Sequence, residues 1–199
     1  MNNNLLLSIK KRRSIYNLNN TSPLTDEEIM TIIEQSIMHT PSAFNSQSSR
    51  IIVLLKLEHE KLWDITTETL RRIVPEEAFG STLQKMRNFK AAYGTVLFFE
   101  DQNVIEKLQK DYALYKDNFP IWSEQTSGML QLVIWTALSE NGLGASLQHY
   151  NPLIDAEVKK TWNIPDSWKL IAQMPFGTPT SEAGPKEFLP TQDRVKLYK

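Results

Sequence analysis

The chain has 199 residues, of which 41% are hydrophobic and 23% charged, with a formal net charge of −1. That is a globular composition, with enough length to bury a real core and one domain as the expectation. Near-neutral charge argues against binding nucleic acid or a membrane surface through bulk charge. The absence of cysteine excludes disulfides, thiol nucleophiles, iron–sulfur clusters and thiolate metal sites together.

The polar start Met1-Asn2-Asn3-Asn4 is followed only by the short apolar run Leu5-Leu6-Leu7, which does not fit a signal peptide. Residues 5–11 read as a short helix with Leu5, Leu6 and Ile9 on one side. It ends in Lys10-Lys11-Arg12-Arg13-Ser14. Such a run is either a solvated face or, with hydroxyls at Ser14 and Tyr16 beside forked guanidiniums, a phosphate clamp. It is too short for a nucleic-acid stripe.

Thr25 and Glu28 form a capping box, and Asp26 and Glu27 suit the positive end of a helix dipole. Ile29, Ile33 and Ile37 supply the buried face, and Pro41 ends the helix just after His39, a C-terminal dipole partner. The loop Pro41-Ser42-Ala43-Phe44-Asn45-Ser46-Gln47 follows. It reads either as an ordinary connection rich in turn residues or as a ligand loop. In the second reading, Ser42, Asn45 and Gln47 offer donors and acceptors to a planar, heteroatom-rich molecule. Ile51-Ile52-Val53-Leu54-Leu55 then reads as a strand covered on both faces and central in its sheet.

Residues 59–73 and 75–92 read as helices, with Lys85 and Lys90 on the second. Thr95-Val96-Leu97-Phe98-Phe99 is a second apolar strand. Residues 101–115 read as a polar helix. Phe119, Pro120, Ile121 and Trp122 open a long helix to Asn141, stopped by Gly142. Its second half is apolar nearly all round, so it is expected at the centre of the domain or at a subunit interface, the interface being favoured because so small a chain has little room to surround it. Residues 143–147 and 168–174 are the remaining strand candidates, with a helix from Pro152 to Trp162 between them. The proline-rich stretch 175–191 is expected to be irregular, and residues 194–198 to add an edge strand, on this chain or on a partner. Helices outweigh the strands they cover, so the expected fold is α+β with a central mixed sheet flanked by helices.

The sequence has no GxSxG, P-loop or GxGxxG motif and no histidine pair at zinc spacing. Chemistry without a side-chain constellation is usually borrowed from a cofactor. The segments Arg12-Arg13-Ser14, residues 41–47, residues 89–100 and residues 142–152, in that order, resemble the nitroreductase family. They are most similar to its small bacterial and fungal branch, related to fatty-acid-repression proteins.

The resemblance implies a cytoplasmic, domain-swapped homodimer with a part in stress response. It implies FMN as cofactor, NAD(P)H as reductant, and reduction of nitroaromatic or quinone acceptors by ping-pong hydride transfer through flavin N5. The alternative is a flavin-binding regulatory or sequestering protein with little turnover. By position, Arg12, Arg13 and Ser14 would hold the FMN phosphate, joined by Lys186 and Arg194 from a C-terminal arm at about 176–199. Pro41, Ser42, Ala43, Asn45 and Gln47 would meet the flavin from the partner subunit, and Gln148 and His149 would face the ring near N5. Lys85 and Lys90 are both candidates for the group near N1. An aromatic acceptor pocket would be formed by Phe44, Tyr115, Phe119 and Trp122, each of which also reads as core packing. The expected chain has no metal site, nucleic-acid partner or membrane anchor. Where typical relatives follow the loop glutamine with Pro-Trp, this chain has Ser48-Ser49-Arg50, and His149 stands where a glutamate is common.

Overall fold

A computed structural model describes residues 4–199; the polar start at Met1 to Asn3 lies outside them. The framework is an α+β layer structure. Strands β1 (Leu18–Asn19), β2 (Ser49–Leu55), β3 (Gly94–Asp101), β4 (Gly144–Ala145) and β5 (Trp168–Pro179) form one sheet in the order β1-β5-β3-β2, with β4 also on β5. Every strand pair is antiparallel, and the parallel element is a single bridge between Ser14 and Ala145.

Helices cover both faces because β3 and β5 are apolar on both. On one side α2 (Asp26–His39) and α6 (Phe119–Glu140) bring Ile29, Ile33, Leu130 and Ile134 against Val96, Phe98, Ala172 and Met174. On the other, α3 (Lys56–Arg71), α4 (Glu76–Lys90) and α7 (Asp155–Thr161) pack Leu62, Trp63, Met86 and Val158 against Leu97, Phe99 and Leu170. Burying side chains of this size stabilises by about 1.5–3 kcal/mol each relative to exposure. Two further helices pack on α6: α1 (Asn4–Lys11) and α5 (Gln102–Asp111).

Local signals set several boundaries. The capping box at α2 forms as expected: Glu28 N–H donates to Thr25 Oγ1 at 3.2 Å and Thr25 N–H to Glu28 Oε2 at 2.8 Å. Gly142, at φ 82°, occupies the left-handed position that ends α6. A Cβ on Gly144 would lie 3.0 Å from Ile15 Cβ. Its absence lets the chain close on Ile15, whose N–H donates to Ala145 O at 2.9 Å.

Four expectations are corrected. β2 is an edge strand, not a central one. Ile51, Val53 and Leu55 pack on one core and Ile52 and Leu54 on the other, so both faces are covered while one edge is open. Face burial and edge pairing are separate properties, and the apolar pattern reports only the first. β5 runs on through Pro175 to Pro179. Pro175 serves the sheet as an acceptor, its carbonyl taking Ser146 N–H at 3.3 Å. Residues 194–198 are not a strand; a 3-10 turn at Thr191–Asp193 leads into an exposed, irregular end. The polar helix after β3 also stops early, at Asp111, with Asp101 as its N-cap.

Candidate active site

The first basic cluster closes on itself in space. Arg12, Arg13 and Ser14 follow α1 and line a cavity of about 450 Å³ whose other wall, residues 181–186, includes Lys186 and Glu182. Arg13 holds that wall, donating from Nη2 to Gly184 O at 2.7 Å. Arg12 sits with its guanidinium 4.3 Å from the centre of the Trp135 ring. Its Nε is buried without a hydrogen-bond partner among the described residues. Burial, and then the charge of Arg13, lower the Arg12 pKa. A half-buried guanidinium with a buried, unpartnered Nε, beside a second cation and a hydroxyl, is a donor set suited to an anion. Arg194 is not brought to this cavity; it lies exposed in the tail.

The loop after α2 is a 3-10 turn at Ala43–Asn45. Phe44, Asn45 and Gln47 have φ of 56°, 50° and 49°. Left-handed backbone is unfavourable for residues with a side chain and persists where surroundings enforce it. Ser42 anchors the turn: its carbonyl accepts from Asn45 N–H at 3.0 Å and its Oγ from Gln47 N–H at 3.0 Å. Ser42 and Gln47 line a cavity of about 450 Å³ with Ile37, Ile51, Thr126 and Trp168. Pro41 and Asn45 are exposed and Ala43 half-buried.

The four aromatic candidates come together. Phe44 lies 6.1 Å from Tyr115, 5.4 Å from Phe119 and 6.1 Å from Trp122, the last nearly parallel at 19°. Tyr112, missed from the sequence, is nearer still at 4.8 Å. Its position just after α5, at helical spacing with Leu108, made it read as helix packing. Phe119 is 2% exposed and acts as the floor, while Phe44 is 51% exposed at the rim.

Gln148 is buried and pairs its backbone both ways with Gln173, at 2.7 and 2.9 Å; His149 beside it is exposed. Of the two lysines, Lys90 is engaged by Asp64 at 2.7 Å and Glu60 at 3.7 Å, whereas Lys85 is exposed over the Phe89 ring.

Two polar groups were missed because nothing in their spacing marks them. His59 is buried between Lys90 O (3.2 Å from Nε2) and Thr95 Oγ1 (2.8 Å from Nδ1), and Thr95 Oγ1 also accepts from Trp63 Nε1 at 3.1 Å. The carbonyl requires Nε2–H, so the neutral ring accepts the threonine hydroxyl at Nδ1. Burial pushes its pKa down to about 4. Glu100, 1% exposed, accepts the hydroxyls of Ser48 and Ser49 at 2.6 Å each. Burial raises its pKa, and the two hydroxyls oppose the rise.

Comparison with known proteins agrees with this frame. Residues 9–178 match the Nitroreductase family model. The Saccharomyces cerevisiae protein HBN1 is 37% identical over 186 residues, covering 92% of each chain. Nitroreductase FRM2 of the same yeast is 33% identical over 188 residues, covering 94% of this chain and 93% of its own. Nitroreductase CinD from Lactococcus lactis, solved with nicotinic acid, superposes with a TM-score of 0.92 at 46% identity, over 98% of this chain and 100% of its own. This chain belongs to the nitroreductase family, and its fold is the nitroreductase fold.

Proposed function

We propose that this chain is an FMN-dependent NAD(P)H oxidoreductase that reduces nitroaromatic or quinone acceptors. The observation that carries the proposal is the one cavity that Arg12, Arg13, Ser14 and Lys186 line together, with Arg12 Nε unpartnered among the described residues. A phosphate brings the acceptors that this donor set lacks, and each charge-assisted bond to it is worth roughly 1.5–3 kcal/mol. A nitroreductase from Desulfitobacterium hafniense that shares the fold at 20% identity was solved with bound FMN.

Arg12, Arg13, Ser14 and Lys186 would hold the phosphate, with Arg194 a further candidate if the arm folds over a partner. Bound FMN supplies two-electron chemistry between NAD(P)H and the acceptor. The residues at 41–47, with Gln148 and His149, would border the flavin in a dimer. Phe44, Tyr112, Tyr115, Phe119 and Trp122 present faces and edges to a flat acceptor. Offset or tilted aromatic contacts of this kind are worth about 0.5–1.5 kcal/mol each beyond area burial. CinD has also been solved with chloramphenicol and with 4-nitrophenol, both nitroaromatic, which supports this choice of acceptor.

The proposal is tested by titrating the protein with FMN and with riboflavin, which lacks the phosphate. Tight FMN binding and at least roughly tenfold weaker riboflavin binding are expected from one lost charge-assisted contact. Equal affinity would remove the cavity from the cofactor site, and binding of neither would defeat the proposal.

A further inference from the structure

The loop at 41–47 ties itself together through local bonds from Asn45, Ser46 and Gln47 back to Ser42 and Ala43. Those bonds do not fix it to the sheet. The attachment comes immediately after it, at the start of β2, from two adjacent acids at the end of β3. Glu100 takes the Ser48 hydroxyl on Oε2 and the Ser49 hydroxyl on Oε1, each at 2.6 Å. Asp101 N–H donates to Ser48 O at 2.9 Å, and Asp101 Oδ2 accepts from Arg50 Nη2 at 3.0 Å. Arg50 then reaches back, Nη1 donating to Gln47 O at 2.7 Å. Arg50 thus goes to Asp101, which is 9% exposed, and Glu100, 1% exposed, is held by hydroxyls.

Placing a carboxylate at a buried position is unfavourable unless its oxygens are satisfied. An apolar side chain would close the end of the strand without that cost. What a carboxylate adds is direction: two acceptors fixed in one plane, each claiming one of two consecutive residues. The segment so held follows Phe44, Asn45 and Gln47, whose left-handed backbone needs external support.

We propose that Glu100 is a positioning residue for the loop at 41–47, holding Ser48 and Ser49 and thereby the left-handed turn that sets Phe44 in the aromatic cluster. This rests on the reading of that loop and cluster as part of the flavin and acceptor site. Glu100 touches neither ligand; it acts through the two serines.

The test uses hydrogen exchange of the full-length protein without FMN, in peptides spanning residues 41–50. In Glu100→Gln, and separately in the double variant Ser48→Ala/Ser49→Ala, protection there is expected to fall by roughly tenfold or more, with α2 and α6 unchanged. The triple variant should be no looser than the double one, because all three residues act as one unit. In the FMN-loaded variants, KM for 4-nitrophenol should rise about three- to tenfold while kcat stays within about twofold, as expected when a binding wall is loosened. Unchanged protection in both variants would overturn the proposal. So would looser exchange throughout the molecule with an unaltered KM, which would make Glu100 a plain stability residue. If Glu100→Gln does not fold, the serine variant decides alone. Wild-type protein that takes up no FMN would sink the site reading, while exchange still decides whether Glu100 holds the loop.

Discussion

The Arg12 guanidinium stacks 4.3 Å from the centre of the Trp135 ring, so a residue just after the first helix is held by a residue inside α6. A cation over an indole gains about 0.5–2 kcal/mol, more as the site is desolvated. The stack holds the charge at the cavity wall, and the buried Nε has no hydrogen-bond partner among the described residues.

Removing either cation should weaken the cofactor and leave the fold. For Arg12→Ala and for Lys186→Ala we expect the FMN dissociation constant to rise roughly ten- to hundredfold, from one lost charge-assisted contact each. Thermal unfolding of apo Lys186→Ala should change little, while apo Arg12→Ala should lose about 0.5–2 kcal/mol with the Trp135 stack. Arg13→Ala acts differently, since Arg13 fastens the 181–186 wall through Gly184 O; faster proteolysis of that segment is the expected sign. Fluorescence titration with FMN measures the affinities. Unchanged affinity in both the Arg12 and Lys186 variants would move the phosphate elsewhere.

Phe44→Ala should raise KM for a nitroaromatic acceptor by about three- to tenfold, the loss of one aromatic contact partner. Phe119→Ala should cost stability as well, about 3–5 kcal/mol, because this ring is buried rather than at the rim. Steady-state kinetics and urea unfolding separate the two effects.

The His59 network predicts acid sensitivity. Its folded pKa of about 4 lies below the ordinary histidine value. Between those values the unfolded chain binds more protons than the folded one. Stability is therefore unaffected above about pH 7 and falls as pH drops, by about 3 kcal/mol near pH 4 from this residue alone. His59→Gln should be less stable at pH 7 but show a flatter loss from pH 7 to 5. Urea midpoints at several pH values give the comparison; parallel curves would exclude His59 as the sensor.

We expect a homodimer with a shared site. Leu5, Leu6 and Leu7 on α1, Ile121, Met129, Leu132 and Val133 on α6, and Phe188, Leu189, Val195, Leu197 and Tyr198 in the tail are all exposed in one chain. Exposed apolar area on this scale marks an interaction surface, and obligate interfaces bury about 2,000 Å² or more. Unfolding midpoints should rise with protein concentration, and removing residues 187–199 should weaken both association and FMN binding. Inactive Arg12 and Asn45 variants, refolded together, should partly complement. A sedimenting monomer that binds FMN tightly would contradict this assembly.

Much of this was legible in the sequence, for reasons visible at particular residues. Thr25 and Glu28 mark α2 because capping is local. The aromatic cluster was legible because Phe119 and Trp122 share one helical turn, with Tyr115 close before it and Phe44 on the loop. What sequence hid was non-local. Nothing in Ile51 to Leu55 reveals that β2 stands at an edge, because its faces are covered all the same. Pro175 looked like a terminator because its missing N–H is visible in sequence and its useful carbonyl is not. His59 and Glu100 have partners 31 to 52 residues away, with no motif linking them. Arg194 was placed by resemblance, and in one chain its segment is exposed and irregular.

The most direct measurement is oxidation of NADH and of NADPH by the FMN-loaded protein, followed at 340 nm with and without 4-nitrophenol, other nitroaromatics and quinones. Acceptor-dependent turnover with parallel double-reciprocal lines is expected, as for a carrier alternately reduced and oxidised in one site. FMN tightly bound but no turnover with any of these acceptors would contradict it, and would favour a flavin-binding regulatory or sequestering protein.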